Sequence, residues 1–411
     1  MFLGVYSSIL QPQFYTIEKH LSSPKPADRH ALYIIKKLRE HGFAAYIVGG
    51  WVRDLLLGAS PKDLDISTSA KPEEIKAIFN NCILIGKRFR LAHIRFGKTI
   101  VEVATFRTGD LENSSLIVHD NTFGSEEDDV LRRDFTINGL FYDLESEVII
   151  DYVGGYLDAK NKLLRSIGEP VSRFRQDPVR MLRLLKFQAR FGLSVEKKTL
   201  DALKICRKDI TKSSQARILE ELLRMLESGF SAPFIKNLAK FGLIELLLPA
   251  IEEKMLAYVL QFLKEADQDT EKTHLLRPVL VSCLCYPLFV QNLQKKAERK
   301  PLHLQAISAV AAESIDAIFS PFFQLPRKMK GAILYILTAQ CRFTPVEENP
   351  TKKRRIPFDT SLPLALKFFE LRSKIQPELE DKYAFYRDLC KKILAKKTRK
   401  KRPRKTVEKT S

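Results

Sequence analysis

The spacing of apolar and polar residues divides the chain at about Ser166. Before that residue, short segments that alternate at the strand period of two are interleaved with segments that repeat at the helical period. Short links join them, so this part predicts an α/β head built on a small mixed sheet with helices. After Ser166 the strand pattern fades and amphipathic helical segments follow one another, which predicts an all-α remainder.

Several elements of the first part have clear boundaries. The predicted strands are 45–48, 63–66, a pair within 83–96, and 99–105, and the predicted helices are 28–41, 51–57 and 71–80. For the whole chain we expect a flexible lead at 1–28, the α/β head at 29–165, a helical neck at 166–245, a helical body at 246–390 and a basic disordered tail at 391–411.

The stretch from Tyr46 to Ala70, YIVGGWVRDLLLGASPKDLDISTSA, concentrates the candidate chemistry. A short buried strand runs into Gly49-Gly50, where no Cβ blocks an approaching ligand, and a helix begins at Trp51 and ends at Gly58. Free backbone N–H groups and the positive end of the helix dipole therefore meet at the glycine pair. This arrangement predicts a site for an anion such as a phosphate.

Two aspartates follow the glycine turn in the segment Asp63-Leu64-Asp65-Ile66. Alternation places both carboxylates on one face of a strand, where they repel each other unless a cation joins them. Mg²⁺ is the expected cation, because it takes carboxylates together with substrate phosphates. Glu102 interrupts an otherwise apolar strand and is a candidate third ligand. The alternative is that the two aspartates form a solvated strand face and Glu102 is an edge residue.

A second group of charged residues, Arg132-Arg133-Asp134, stands before an apolar stretch that reads as the start of a helix. Taken alone, Asp134 is also explained as the N-terminal cap of that helix.

The segment from Asp177 to Phe187 predicts a further helix, with Asp177 as its N-cap and Pro178 in its first turn. Asp177 and Arg180 are three residues apart and therefore neighbours on one face, with Arg183 next to them. Such a pair presents an acceptor and donors in fixed geometry, as recognition of a base edge requires. An ordinary salt bridge within a helix has the same spacing.

Composition indicates a protein of the cytoplasm. At 411 residues and 45% hydrophobic, the chain is long enough for two to four domains. Its longest apolar run, 278–290, falls short of the roughly 20 residues that a membrane helix needs, and the start lacks the basic region of a signal peptide. Six cysteines without framework spacing suit a reducing compartment, so we expect a cytoplasmic protein with no membrane partner.

The formal net charge of +20 is concentrated at the end of the sequence. Residues 391–411 contain 11 Lys and Arg against one Glu, which is half of the total excess. Such a segment attracts polyanions without reading sequence, and nucleic acid is the expected partner because no apolar helix face accompanies the charge. A role in solubility alone is the alternative.

Several motifs agree in order and spacing with the class II nucleotidyltransferases, the family of bacterial poly(A) polymerases and tRNA CCA-adding enzymes. The matching pieces are GGWVRDLLLG with DLD, EVATFR, RRDFTIN, DYVGG and DPVRMLRLLKFQARFGL, within about 30–230. Inside the family, LIGKRFRLAHI at 84–94, DNTFGS at 120–125 and the basic tail resemble poly(A) polymerases rather than CCA-adding enzymes.

The resemblance implies template-independent addition of AMP from ATP to RNA 3′ ends, of mRNA or other transcripts, at a two-metal Mg²⁺ site. The implied metal ligands are Asp63, Asp65 and Glu102, with Asp134 as a further catalytic residue; the implied nucleotide contacts are Gly49, Gly50, Arg53, Arg133, Asp177, Arg180 and Arg183. Gln176 stands where many relatives carry an acid, which leaves base selectivity open. The alternatives are CCA addition to tRNA and a non-catalytic RNA-binding scaffold, and the oligomeric state is not predicted.

Overall fold

The computed structural model describes residues 11–16, 26–61, 64–86, 91–109, 122–269, 276–298, 302–344 and 359–400, with backbone alone at 26–28 and 393–400. The chain divides into two compact units, Met1–Lys212 and Ser213–Ser411. The first carries the mixed sheet, as the periodicity predicts, and the second is helical. The division falls after Lys212 rather than at about Ser166, so the largely helical stretch 166–212 belongs to the first unit.

The described part of the first unit is built on one eight-stranded mixed sheet. Its strands are β1 (Gln13–Thr16), β2 (Ala45–Val48), β3 (Asp65–Thr68), β4 (Cys82–Ile85), β5 (Leu91–Phe96), β6 (Thr99–Thr105), β7 (Leu140–Asp143) and β8 (Val148–Asp151). They lie in the order β1-β8-β7-β2-β3-β6-β5-β4, and β3 with β6 is the parallel pair of this described sheet. Two short strands, β9 (Leu163–Leu164) and β10 (Ser194–Val195), pair separately.

The described part of the first unit also contains helices. They are α1 (Pro26–Glu40), α2 (Gly50–Leu56), α3 (Pro72–Ile78), α4 (Glu126–Leu131), α5 (Gly155–Lys160), α6 (Pro170–Gln176), α7 (Val179–Phe191) and α8 (Lys197–Cys206), with 3-10 turns at Thr136–Asn138 and Arg207–Lys212. The side chains of Ile47, Ile66 and Val103 are fully buried on one face of the sheet, in the core that also holds Ile34 of α1 and Ile75 of α3. Alternation then sends the intervening residues of β2, β3 and β6 to the opposite face.

The second unit is a helical assembly. Its helices are α9 (Gln215–Leu226), α10 (Ser231–Lys240), α11 (Ile244–Leu247), α12 (Glu253–Asp267), α13 (Arg277–Ala297), α14 (Leu304–Phe319), α15 (Arg327–Phe343), α16 (Leu362–Ile375) and α17 (Glu380–Lys400), with a 3-10 turn at Pro377–Leu379. Helix α13 packs against α12, α14, α15 and α16 and contains the apolar run 278–290. All six cysteines are buried free thiols, including Cys283 and Cys285 on α13.

Measured along the described residues, no helix is both long and apolar enough to span a bilayer. Helix α17 extends to Lys400, ten residues into the stretch expected to form the basic tail. Residues 401–411 lie outside the described part of the chain.

Two expectations about the first unit need correction. Gln13–Thr16, inside the expected flexible lead, forms β1, which pairs antiparallel with β8 while Tyr15 stacks on Tyr156 at 3.9 Å between ring centroids. The helix predicted after Asp134 is wrong: a 3-10 turn at Thr136–Asn138 leads directly into strand β7. Because β7 is a central strand buried on both faces, its apolar run lacks the alternation that identifies a strand in sequence.

Candidate active site

A row of directly paired residues crosses the sheet on the face opposite α1 and α3. Val48 of β2 pairs with Asp65 of β3, Asp65 pairs with Glu102 of β6, and Glu102 pairs with His93 of β5. Paired residues on neighbouring strands project to the same face. The alternation of three short strands therefore brings Asp65 and Glu102, 37 positions apart in the sequence, side by side.

The chemistry of these two carboxylates suits a hard cation. Asp65 is half-buried, and the Glu102 side chain is 48% exposed, so both can be reached from solvent. Oxygen ligands of this kind are those that Mg²⁺ takes. Asp63, predicted to bind the metal together with Asp65, lies outside the described residues, and within the described ranges no cluster of three or more His, Cys, Asp or Glu is arranged to hold a metal. The metal role of all three residues stays a prediction.

The glycine turn lies at the end of β2, beside this row. Gly49 has a φ of 67°, in the region that favours glycine, and Gly50 begins helix α2. A Cβ added at Gly49 would lie 3.4 Å from Nη1 of Arg133, and one added at Gly50 would lie 3.4 Å from Nη2 of Arg53. The turn therefore brings the guanidinium groups of Arg53 and Arg133 next to bare backbone, a setting that suits an anion. The predicted phosphate site is untested.

The Arg53 side chain is bonded to other residues of the protein. Its guanidinium is buried, forms an ion pair with Asp54, and donates from Nη1 to Oδ1 of Asn138 at 2.8 Å. It also packs over the rings of Phe187 and Phe191, at 4.6 and 5.3 Å from their centroids. Burial lowers the pKa of Arg53, with the Asp54 charge opposing that shift. Arg53 thus joins α2 to α7, and its predicted contact with a nucleotide phosphate is untested.

The buried carboxylate of Asp134 accepts several hydrogen bonds. Its Oδ1 accepts from Nδ2 of Asn138 at 2.8 Å and from the backbone N–H of Phe135 at 2.9 Å, and its Oδ2 accepts from Nε of Arg183 at 2.6 Å. Burial by itself would raise the pKa of Asp134. The Arg183 charge and the hydrogen bonds from Asn138 and Arg183 outweigh burial and lower the pKa to about 2. Asp134 is therefore an ionised acceptor that joins two elements, rather than the cap of a helix.

Arg133 is positioned by the end of α4. Its Nη2 lies 2.6 Å from Oδ2 of Asp129, a fully buried carboxylate, and its Nη1 donates to the backbone oxygen of Asn138 at 3.2 Å. The neighbouring Arg132 holds the other carboxylate oxygen of Asp129. The two arginine charges and their hydrogen bonds lower the pKa of Asp129 despite its burial.

The residues predicted to select the base lie at the junction of α6 and α7. Asp177 closes α6, and α7 begins at Val179 with Pro178 as its N-cap, so the helix starts one residue later than predicted. Arg180 is buried and donates to the backbone oxygens of Arg173 and Arg132. Together with the Arg183 contact to Asp134, these bonds attach α7 to the Arg132-Arg133-Asp134 segment.

Two residues that sequence reasoning missed complete this network. Asn138 accepts from Arg53 and donates to Asp134, so its amide links the glycine turn to α7. Arg173 is buried and donates from Nη2 to three successive backbone oxygens, those of residues 131, 132 and 133. The position of Asn138 inside RRDFTIN offered a signal, whereas nothing in the local sequence distinguishes Arg173 from the neighbouring Arg175.

Two family models match parts of the chain on either side of 166–191. Residues 45–165 match the poly A polymerase head domain, and residues 192–255 match the model described as "Probable RNA and SrmB- binding site of polymerase A". The first match contains the glycine turn, the carboxylate row and the Arg132-Arg133-Asp134 segment.

Comparison with individual proteins gives the same result. The chain is 36% identical to poly(A) polymerase I of Escherichia coli over 331 residues, which cover 75% of this chain and 71% of that protein. It is 39% identical to a CCA-adding enzyme of Geobacillus thermodenitrificans over 231 residues, covering 56% and 57%. The crystal structure of Bacillus stearothermophilus CCA-adding enzyme in complex with CTP superposes with a TM-score of 0.65 at 28% identity, covering 88% of this chain and 83% of that one. The chain therefore belongs to the class II nucleotidyltransferase family, which contains bacterial poly(A) polymerases and CCA-adding enzymes.

Proposed function

We propose that this nucleotidyltransferase is a poly(A) polymerase, which adds AMP from ATP to RNA 3′ ends without a template and releases pyrophosphate. The observation that carries the proposal is the extent of the likeness to poly(A) polymerase I, 75% of this chain, against 56% for the CCA-adding relative. The segments 84–94 and 120–125, which resemble poly(A) polymerases, and the basic charge of 391–411 add support.

In this proposal, Asp65 and Glu102 hold Mg²⁺ together with Asp63. A metal ion held there would neutralise phosphate charge and would lower the pKa of the primer 3′-hydroxyl, whose oxygen attacks the α-phosphate of ATP as pyrophosphate leaves. The pairing of Asp65 with Glu102 supports this role, because like charges placed side by side are unfavourable until a cation joins them.

The remaining residues bind and orient the substrates. The bare backbone of Gly49 and Gly50 and the Arg133 guanidinium receive the triphosphate, with Arg53 holding the turn in place. Asp134 fixes Arg183 at the entrance to α7, where Asp177, Arg180 and Arg183 select the base. The CTP in the related crystal structure supports a nucleoside triphosphate as the substrate class.

A specific observation also favours CCA addition to tRNA. The solved structure that superposes with a TM-score of 0.65 is a CCA-adding enzyme, and the Geobacillus relative is 39% identical. The two activities share the same carboxylate and glycine machinery and differ in nucleotide and acceptor, so an assay of both variables distinguishes them.

The experiment supplies ATP alone or CTP alone, with Mg²⁺, to an unstructured RNA and to a tRNA lacking its terminal CCA. Poly(A) polymerase activity predicts long adenylate tails on the unstructured RNA from ATP alone, with pyrophosphate released in step. Addition restricted to the truncated tRNA, and dependent on CTP, would establish the CCA-adding alternative.

A further inference from the structure

His93 lies next to Glu102 on the sheet face opposite α1 and α3, and the reaction described above gives it no role. Its Nε2 is 3.3 Å from Oε1 of Glu102, and the two residues are direct cross-strand partners on β5 and β6. The flanking residues Ala92 and Ile94 are fully buried on the opposite face, so β5 is anchored and His93 projects from a fixed backbone. The histidine side chain is 16% exposed.

Among the described residues, His93 is the side-chain partner of Glu102. Its side chain is 48% exposed and has three rotatable bonds, so an unpartnered carboxylate there would sample many rotamers. Its neighbour on the other side is Asp65, whose like charge disfavours any rotamer that brings the two carboxylates together. A contact with an anchored ring nitrogen reduces this freedom before a cation arrives.

We propose that His93 is a positioning residue that holds Oε1 of Glu102, so that Oε2 remains for the metal ion. The proposal rests on the proposed function, because it requires Glu102 to be a metal ligand. Carboxylates that bind metals are commonly oriented by a neighbouring polar side chain, and loss of such a partner typically weakens metal affinity by roughly 10-fold to 100-fold. His93 acts through Glu102 and needs no contact with substrate.

His93 also belongs to a sequence segment that resembles one branch of the family. His93 lies within Leu84–Ile94, the segment that resembles poly(A) polymerases rather than CCA-adding enzymes. The preceding bend at 87–90 lies outside the described residues, but strands β4 and β5 on either side place His93 opposite Ile83 and beside Glu102. The poly(A)-type segment thus contributes a residue directly to the carboxylate row.

The test measures Mn²⁺ binding by the full-length chain without RNA or nucleotide, from the electron paramagnetic resonance signal of the free ion. His93→Leu removes the donor, and we expect its Mn²⁺ affinity to fall about tenfold. His93→Gln carries a neutral N–H donor near the position of Nε2, so we expect affinity within about twofold of the unmodified chain. Ile83→Val alters the strand partner of His93 without touching a carboxylate and serves as the matched control.

Two further variants distinguish a failure of the positioning role from a failure of the proposed metal site. Glu102→Gln should weaken Mn²⁺ binding, and His93→Leu combined with Glu102→Gln should weaken it no further, because the histidine acts through the glutamate. If Glu102→Gln leaves Mn²⁺ affinity unchanged, the proposed metal site itself is wrong. If Glu102→Gln weakens binding but His93→Leu leaves it unchanged or strengthens it, or if His93→Gln fails to restore it, the positioning role alone is overturned.

Discussion

Nε of Arg183 lies 2.6 Å from Oδ2 of Asp134, and this contact joins helix α7 to the segment that follows α4. The two residues are 49 positions apart in the sequence. Asp134 also accepts from Asn138, whose own side-chain oxygen accepts from Arg53. A continuous set of hydrogen bonds therefore runs from the helix after the glycine turn to the helix proposed to select the base.

The first prediction concerns the acid stability of the fold. The folded-state pKa of Asp134, about 2, lies below its ordinary value, so its ionised form stabilises the protein above pH 4. That contribution, about 2 kcal/mol, is lost as the pH falls toward 2. Asp134→Asn should therefore lower the free energy of unfolding at pH 7 by about 2 kcal/mol and flatten its dependence on pH between 4 and 2.

Urea unfolding of both proteins across this pH range measures the difference. Asp201→Asn is the matched control, because the Asp201 side chain on α8 is 49% exposed and pairs with Lys204 at the surface, where removal of a charge changes stability by less than about 1 kcal/mol. Equal pH profiles for Asp134→Asn and the unmodified chain would contradict the proposed role of the Arg183 contact.

The second prediction concerns Arg53. Lysine cannot reproduce the guanidinium bonds to Asp54 and Asn138 or the packing over Phe187 and Phe191. Arg53→Lys should lower the free energy of unfolding by about 3 kcal/mol, because it breaks a buried charge network. Arg207→Lys, at an exposed position, should change it by less than about 0.5 kcal/mol. If Arg53→Lys raises the KM for ATP but leaves the free energy of unfolding unchanged, the stabilising role is wrong and Arg53 acts only on the phosphate groups of ATP.

The third prediction concerns Arg173, which holds the backbone leading to Asp134. Replacement by Met keeps most of the side-chain volume but leaves the carbonyl oxygens of residues 131–133 without this donor. We expect the segment to loosen and the KM for ATP to rise about tenfold, a loss of about 1.4 kcal/mol in binding. Arg175→Met on the exposed side of the same helix should leave KM unchanged, and equal effects of the two substitutions would rule out this clamp.

The fourth prediction concerns the basic end of the chain. Residues 401–411 contain five Lys and Arg and one Glu, and their removal leaves α17 intact. Binding to single-stranded RNA loses about 0.7 logarithmic units per logarithmic unit of salt for each phosphate neutralised. Deleting 401–411 should therefore reduce the slope by up to about 3.5, while ATP binding is unchanged. A variant of full length with the five basic residues replaced by Gln should behave like the deletion; an unaltered slope in both would assign the tail to solubility.

Local sequence patterns predicted the pieces of the site better than their arrangement. Strand alternation correctly placed Glu102 in β6 and put Asp65 on a strand face, and the glycine pair predicted the turn between β2 and α2. These features depend on neighbouring residues alone. The parallel pairing of β3 with β6 depends on contacts between segments more than 30 residues apart, for which one sequence contains no direct signal.

The hydrogen bonds around Asp134 could not be predicted from the sequence for the same reason. Arg53 and Asn138, which are in contact, lie 85 positions apart in the sequence. Strand β7 lies between β8 and β2 and is buried on both faces, so its sequence lacks the alternation by which a strand is recognised. The motif that contains Asp134 predicted an important acid but gave no indication that Asn138 and Arg183 hold it. Burial and long-range pairing, rather than local propensity, decide both features.

Asp65 and Glu102, paired on the sheet face opposite α1 and α3, are proposed to carry metal-dependent nucleotidyl transfer. Asp65→Asn preserves the size and shape of the side chain on β3 and removes its charge, so the fold should persist while the metal site is lost. The most direct measurement is AMP incorporation from ATP into an unstructured RNA with Mg²⁺, alongside circular dichroism of the same samples. We predict a fall in kcat of at least about a thousandfold with an unchanged spectrum; AMP incorporation at the rate of the unmodified chain would contradict the account.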